Sequence, residues 1–378
     1  MSASVIYDPP EVGAECVGFA PLAKWLETHA QSLDGDRLMA AEILPRLGAS
    51  GLLRVGVAAE NGGCAGSVVD AIEVVADIAG CSLTAAFVFW GQRTFIEYLL
   101  HSPNRGLRDE WLPALLEGRY AGATGLSNAM KYLSNLETLQ IHASELAAPG
   151  TGGPVRFTLN GNLPWVTNLR REGFLVAAAV EHSDGRAPSI FAIPSGGAGT
   201  RRSEDLDLIA LRASNTAALA IEGTVVDRHY QITDNAPAFL TRVRPAFLGL
   251  QCGMSIGLAR RALRAVAEVH GAARGVLAHE HAALAAGLDS TTQRLYEGID
   301  SDELRNAPAA LFELRIELAD LVAEVLNLEI QASGGLGYLR GRSEVARRAR
   351  EAAFIPIVTP SIIQLKSQLQ FYAAAGAT

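Results

Sequence analysis

The spacing of apolar residues changes twice along this 378-residue chain, and few folds accommodate both changes. Between about Phe19 and Leu116, residues such as Leu38, Ala41, Leu44 and Leu47 recur at three-residue spacing. The segment Val68 to Ile78 is apolar on one side, as in a helix packed on a core. From about Tyr120 to Asp227 the pattern becomes strand-like, in Phe174 to Val180, Ser189 to Ile193 and Ala218 to Val226. Clusters of Gly, Pro and Ser separate these runs, as turns between short antiparallel strands do. From about Pro237 long helices return. The order predicts a mainly α protein with a central β-domain. Its expected parts are an N-terminal helical domain (1–118), a small β-barrel or sandwich (119–236) and a C-terminal helical bundle (237–378).

In the third helix of that bundle, Leu311, Leu314, Leu318, Leu321, Val325 and Leu328 form one apolar seam. Phe312, Ala319, Val322 and Leu326 form a second, and Glu313, Glu317, Asp320 and Glu324 form a polar stripe. Two seams imply an inner helix, and the second suggests burial against another subunit. Gly249, Gly253 and Gly257 recur every four residues in the bundle's first helix. Each costs a helix roughly 1 kcal/mol relative to alanine, so the ridge implies close helix approach.

Hydrophobic residues make up 49% of the chain and charged residues 19%, which fits a large helical core. A net charge of −8 argues against a nucleic-acid partner. The arginines between Arg340 and Arg350 read as helix-surface or cofactor-facing charges. Asp8 and Glu11 stand where a secretory signal would be basic and then apolar, so a cytoplasmic location is expected. Pro245 to Ala259 is too short to span a membrane and reads as a buried helix. Cys16, Cys64, Cys81 and Cys252 lack metal-ligand spacing and read as buried, reduced thiols. In His279-Glu280-His281 the neighbours point to different sides of a helix, so no metal site is expected.

Several motifs remain. Asn160-Gly-Asn-Leu-Pro-Trp-Val-Thr-Asn168 places an indole and a hydroxyl at the end of a strand. Ala121-Gly-Ala-Thr124 and Ser134-Asn135 bracket a loop, and Arg274 lies four residues after His270. The long helix ends in Gln331-Ala-Ser-Gly-Gly335, followed by Arg347-Arg-Ala-Arg-Glu351. The last glycines follow a helix rather than a strand, which excludes a Rossmann reading.

Together these segments resemble the acyl-CoA dehydrogenase family over most of the chain. The resemblance implies that family's three-part fold, with a middle β-barrel and a C-terminal four-helix bundle, and non-covalent FAD. It implies Thr124, Ser134, Trp165, Thr167, Arg274, Gln331, Gly334, Gly335 and Ser361 as cofactor contacts. Trp165 would cover one face of the flavin, and Arg274 would reach the pyrophosphate of a neighbouring subunit. A homotetramer, or at least a dimer, is implied, with a small molecule or acyl thioester as substrate. A flavin reductase or electron-transfer protein is a possible partner.

The sequence departs from the family at one critical place. Counting from Arg350-Glu351, which matches the family's Arg-Asp, Thr359 stands where the catalytic glutamate belongs. A threonine hydroxyl is not basic near neutrality. The alternative site on the earlier bundle helix is occupied by Phe247 or Val243, depending on the alignment. Three readings stay open: a dehydrogenase with its base elsewhere, at Glu97 or Glu280 for example; a flavin monooxygenase or oxidase; and a catalytically silent flavoprotein subunit of a hetero-oligomer.

Overall fold

The structure, a computed structural model, describes residues 18–126, 129, 132, 138–146, 155–269, 272–339 and 343–376. Five helices come first: α1 (Phe19–Gly35), α2 (Ala40–Ala49), α3 (Val68–Cys81), α4 (Leu83–His101) and α5 (Arg105–Leu116). Helix α3 starts at Ser67, whose hydroxyl accepts from the Val69 amide while Asp70 accepts from the Ser67 amide. Every residue of α4 from Leu83 to Leu99 is buried, so this helix has no solvent face and runs through the middle of the molecule.

Eight strands follow: β1 (Ala121–Thr124), β2 (Ile141–Leu146), β3 (Arg156–Val166), β4 (Phe174–His182), β5 (Ser189–Pro194), β6 (Thr200–Asp205), β7 (Ala217–Asp227) and β8 (Gln231–Thr233). They form one mixed sheet in the order β6-β7-β3-β2-β4-β5-β8, with β1 parallel to β4. Strands β4 and β5 read as continuous apolar runs because they are buried almost throughout.

The last part contains α6 (Ala236–Ala267), α7 (Ala272–Asp300), the short α8 (Glu303–Asn306), α9 (Pro308–Ser333), α10 (Glu344–Ala352) and α11 (Ile362–Gly376). Pro245 to Ala259 lies in α6 and is buried along its whole length. Among the described residues no helix is long and apolar enough to cross a membrane. The glycine ridge brings α6 onto α3. A Cβ on Gly257 would stand 1.9 Å from the Ala76 carbonyl oxygen, and one on Gly253 2.7 Å from that of Ile72. Only glycine fits there.

Three expectations need correction. Apart from the half-buried Leu321, both seams of α9 are buried within this chain. Phe312 of the second seam stacks on Tyr372 of α11 at 6.2 Å, so that seam does not by itself call for another subunit. Within the arginine run Arg347 and Arg348 are not surface charges but are buried in ion pairs with Glu351 and Glu329, whereas Arg340 and Arg342 lie outside the described residues. Cys64 is disulfide-bonded, whereas half-buried Cys81 and buried Cys252 are free thiols.

Candidate functional site

The end of β3 sits directly on α4. Trp165 points outward and is 44% exposed, leaving its indole face open, whereas Thr167 and Asn168 are buried. Thr167 donates its hydroxyl to the Ser214 carbonyl at 3.2 Å. Asn168 adopts a left-handed backbone (φ 60°), and its Nδ2 donates to Gln92 Oε1 of α4 and the Gly122 carbonyl of β1, both at 2.9 Å. Gln92 in turn accepts from the Gly122 amide at 2.7 Å and donates to the Leu115 and Tyr120 carbonyls. The strand end is therefore clamped to helix and sheet by one buried amide pair. A Cβ on Gly91 would come within 3.2 Å of Thr167 Cγ2, so α4 packs against the motif with no room to spare.

Thr124 ends β1, buried, with its hydroxyl 2.9 Å from Tyr98 Oη of α4. Burial pushes the Tyr98 phenol well above its ordinary pKa, so it stays protonated. Ser134 lies outside the described residues, as does the side chain of Arg274, whose backbone belongs to α7. Gln331, Gly334 and Gly335 sit together at the exposed end of α9. Gly334 has φ 55°, and a Cβ on Gly334 or Gly335 would meet nothing within 4 Å, so the turn's backbone is open to a ligand. Ser361 caps α11: its hydroxyl accepts from the Gln364 amide at 3.4 Å, and its own amide donates to Gln364 Oε1 at 2.6 Å.

Thr359 belongs to a turn segment between α10 and α11 that is held from behind. Gln251 of α6 donates to the Thr359 carbonyl at 2.9 Å and accepts from Arg315 Nε at 2.8 Å, while Arg315 Nη2 donates to the Ile355 carbonyl at 2.6 Å. Arg315, on α9, is fully buried. Its Nη1 has no partner and no carboxylate pairs with it among the described residues. Burial lowers its pKa, partly opposed by nearby Cys252, and burial pushes the Cys252 thiol up to about 12. Sequence spacing gave no sign of this Gln251–Arg315 pair.

The two residues offered as alternative bases sit in different surroundings. Burial alone would raise the pKa of Glu97, but Arg93 at 2.6 Å and His101 at 3.3 Å outweigh it and hold it below the usual range. Arg93 also donates to the Val55 and Gly56 carbonyls, making Glu97 part of a structural ion cluster. Glu280 is exposed on α7. Phe247 and Val243 are buried apolar residues of α6. His281 is 3.0 Å from the Leu263 carbonyl, and no His, Cys, Asp or Glu cluster among the described residues could hold a metal.

The polar atoms left over fit a group bearing both donors and acceptors. Asn168 Oδ1, three residues after the exposed Trp165, is buried without a partner, as is Thr94 Oγ1 on α4, the helix on which the strand end packs. A planar, polar-edged ring such as a flavin suits that combination.

Residues 20–119 match the model for the acyl-CoA dehydrogenase N-terminal domain. Over 214 residues (53% of this chain) the sequence is 26% identical to mitochondrial isovaleryl-CoA dehydrogenase of Pongo abelii. Over 111 residues (25%) it is 31% identical to a probable short/branched chain specific acyl-CoA dehydrogenase of Dictyostelium discoideum. These matches span 48% and 27% of the two relatives' lengths. The fold superimposes on glutaryl-coenzyme A dehydrogenase in its glutaryl-CoA complex with TM-score 0.79 and 18% identity, covering 94% of this chain and 95% of that one.

Proposed function

For a chain that is acyl-CoA dehydrogenase-like in its N-terminal sequence and its fold, we infer an FAD-dependent oxidoreductase acting on an acyl thioester or related small molecule. The observation that carries this reading is the clamped end of β3. Trp165 stands exposed as an aromatic wall on a strand end anchored by the Asn168–Gln92 pair, and the Asn168 oxygen three residues on is buried without a partner. When bound, FAD would supply hydride or electron transfer at its ring.

Trp165 would cover the ring, and Thr124, Thr167, Ser134 and Ser361 would line its polar edge. Gln331, Gly334 and Gly335 would receive the dinucleotide portion, and Arg274 of a neighbouring chain would pair with the pyrophosphate. The open turn at Gly334 is ringed by exposed Ile330, Leu336, Tyr338 and Leu339, which supports a homo-oligomer, a tetramer or a dimer, meeting at this end. The N-terminal helices (1–118) and the middle domain (119–236) would frame the ring, and the bundle (237–378) would carry the shared dinucleotide site.

The substrate chemistry follows from what surrounds Thr359. Dehydrogenation of a thioester needs a carboxylate for the α-proton, and Thr359, Phe247 and Val243 supply none. Glu97 is committed to Arg93 and Glu280 faces solvent. This favours a second reading, a flavin oxidase or monooxygenase, whose bound flavin would pass to oxygen the electrons taken from the substrate or from a flavin reductase or electron-transfer protein. A silent subunit of a hetero-oligomer is the remaining alternative. Anaerobic reduction of the flavoprotein followed by exposure to air separates them. Rapid reoxidation with a transient absorbance supports oxygen chemistry, reduction by an acyl-CoA supports a dehydrogenase, and inertness in both supports a silent subunit. Absence of FAD from the denatured protein would end all three.

A further inference from the structure

Arg315 is a fully buried cation that pairs with no carboxylate among the described residues, and the segment it holds adjoins the end of β3. Its Nε donates to Gln251 Oε1 at 2.8 Å and its Nη2 to the Ile355 carbonyl at 2.6 Å, both neutral acceptors. A guanidinium only donates, so it fixes which end of the Gln251 amide faces it. The other end, Nε2, is left to donate to the Thr359 carbonyl at 2.9 Å. Gln251 is itself fully buried. Two carbonyls of the segment 353–361 are thus tied to α6 and α9 by one connected set of hydrogen bonds.

Helix α4 shows where that segment lies. Phe87 and Gly91 are one helical turn apart and share a face of α4. Phe354 of the segment meets Phe87 edge-on at 4.5 Å, and a Cβ on Gly91 would stand 3.2 Å from Thr167 Cγ2 at the end of β3. The segment and the strand end are therefore seated side by side on α4, about 6 Å apart along its axis. Stability alone does not call for a charge beneath the segment. A buried guanidinium loses its hydration, and apolar side chains of similar volume often serve as well or better. What the polar pair adds is direction, since each hydrogen bond fixes one carbonyl and polarises the next.

We propose that Gln251 and Arg315 are positioning residues: by holding the Thr359 and Ile355 carbonyls, they set how the segment bearing Thr359 and Ser361 faces the end of β3. The inference rests on the flavin reading, in which Ser361 lines the ring's polar edge, and adds what keeps that wall in place. Gln251 is the link that chemistry can cut selectively. A carboxylate at this position would accept from Arg315 and neutralise it, but has no proton for the Thr359 carbonyl and would repel that oxygen.

The test is made on the full chain at saturating FAD. Melting temperature reports stability, hydrogen exchange of the peptide spanning 353–362 reports the segment, and flavin fluorescence gives FAD affinity. Gln251→Glu should melt at or above the wild-type temperature, because it supplies the missing anion. It should nevertheless exchange the segment about tenfold faster and bind FAD about tenfold more weakly, the factor carried by one hydrogen bond of ordinary strength. Should that variant fold poorly, Arg315→Lys, which keeps the cation and a donor for Gln251, should hold the segment and FAD more tightly than Arg315→Met. A well-folded Gln251→Glu variant with wild-type exchange and FAD affinity, a lysine that rescues nothing, or losses that simply follow melting temperature would overturn the proposal. Wild-type protein that takes up no FAD would sink the flavin reading instead, and the exchange comparison would then decide the positioning role by itself.

Discussion

The ion pair between Arg348 and Glu329 allows a sharp test of how the end of α9 is held. Arg348 Nε lies 3.1 Å from both Glu329 oxygens and Nη2 closes a further contact, with side-chain exposures of 3% and 1%. Glu344, 3.9 Å away and 47% exposed, is too solvated to take over. Glu329→Leu leaves a buried guanidinium without its carboxylate, which costs about 3–5 kcal/mol, and Arg348→Met leaves the converse at a similar cost. The double variant removes both charges and should lie close to wild type, or even above it, since buried pairs are often neutral when replaced by apolar residues. The coupling should therefore exceed about 3 kcal/mol, far more than the roughly 0.5 kcal/mol expected of independent sites. Each single variant should lower Tm by about 4–6 °C, since an unfolding entropy of roughly 2 cal/mol/K per residue over 378 residues corresponds to about 1.3 °C per kcal/mol, measured by tryptophan fluorescence with FAD absorbance followed in parallel. FAD retention should fall with the singles and recover in the double, because the pair anchors the Gln331–Gly335 turn. Additive losses in the double variant, or singles within about 1 kcal/mol of wild type, would refute the reasoning.

Purified protein should be yellow and release FAD on denaturation; added FAD that changes neither its own fluorescence nor the melting temperature would count against the site. Octanoyl-CoA should fail to bleach the flavin in a dye-reduction assay, since positioned bases contribute roughly 10²- to 10⁴-fold and Thr359 supplies none. Arg274→Ala should weaken FAD affinity by about 1.5–3 kcal/mol without loss of helicity, and a monomer in light scattering that keeps its full FAD would rule out the shared site. Burial and nearby Glu73 raise Asp77 to about 6. An acid with a raised folded pKa holds its proton more tightly when folded, so its contribution is lost as pH rises from about 4 to 6. Asp77→Asn should therefore gain up to about 3 kcal/mol at pH 7.5 and almost nothing at pH 4, and equal gains at both would exclude this account.

The three-part order was legible because a change of period from 3.6 to 2 and back survives without tertiary information. The motif at Trp165 to Asn168 stood out in the sequence, but Asn168's structural task did not, since its partners Gln92 and Gly122 are remote in sequence. Acid and base residues spaced three or four apart in α10 look the same on a wet surface as in a core. Glu329 and Asp34, brought up from other helices, decide that Arg348 and Arg350 are pinned inward. The second seam of α9 read as a face buried against another subunit because nothing local announces that α11 folds back over Phe312. The buried aromatic cluster of Phe87, Trp90, Phe247 and Phe354 draws on three segments remote in sequence, and no spacing rule joins them.

Asp34, at the end of α1, is fully buried. One carboxylate oxygen accepts from the Leu211 amide in the sheet-bearing part, and the other accepts from Arg350 of the bundle at 2.6 Å. One side chain thus reports to all three parts of the molecule at once. Loosening any of them leaves a dry negative charge short of a donor, and the remaining two then feel the penalty. The three parts should therefore melt in a single step, and a protease should yield no long-lived fragment that keeps one of them intact.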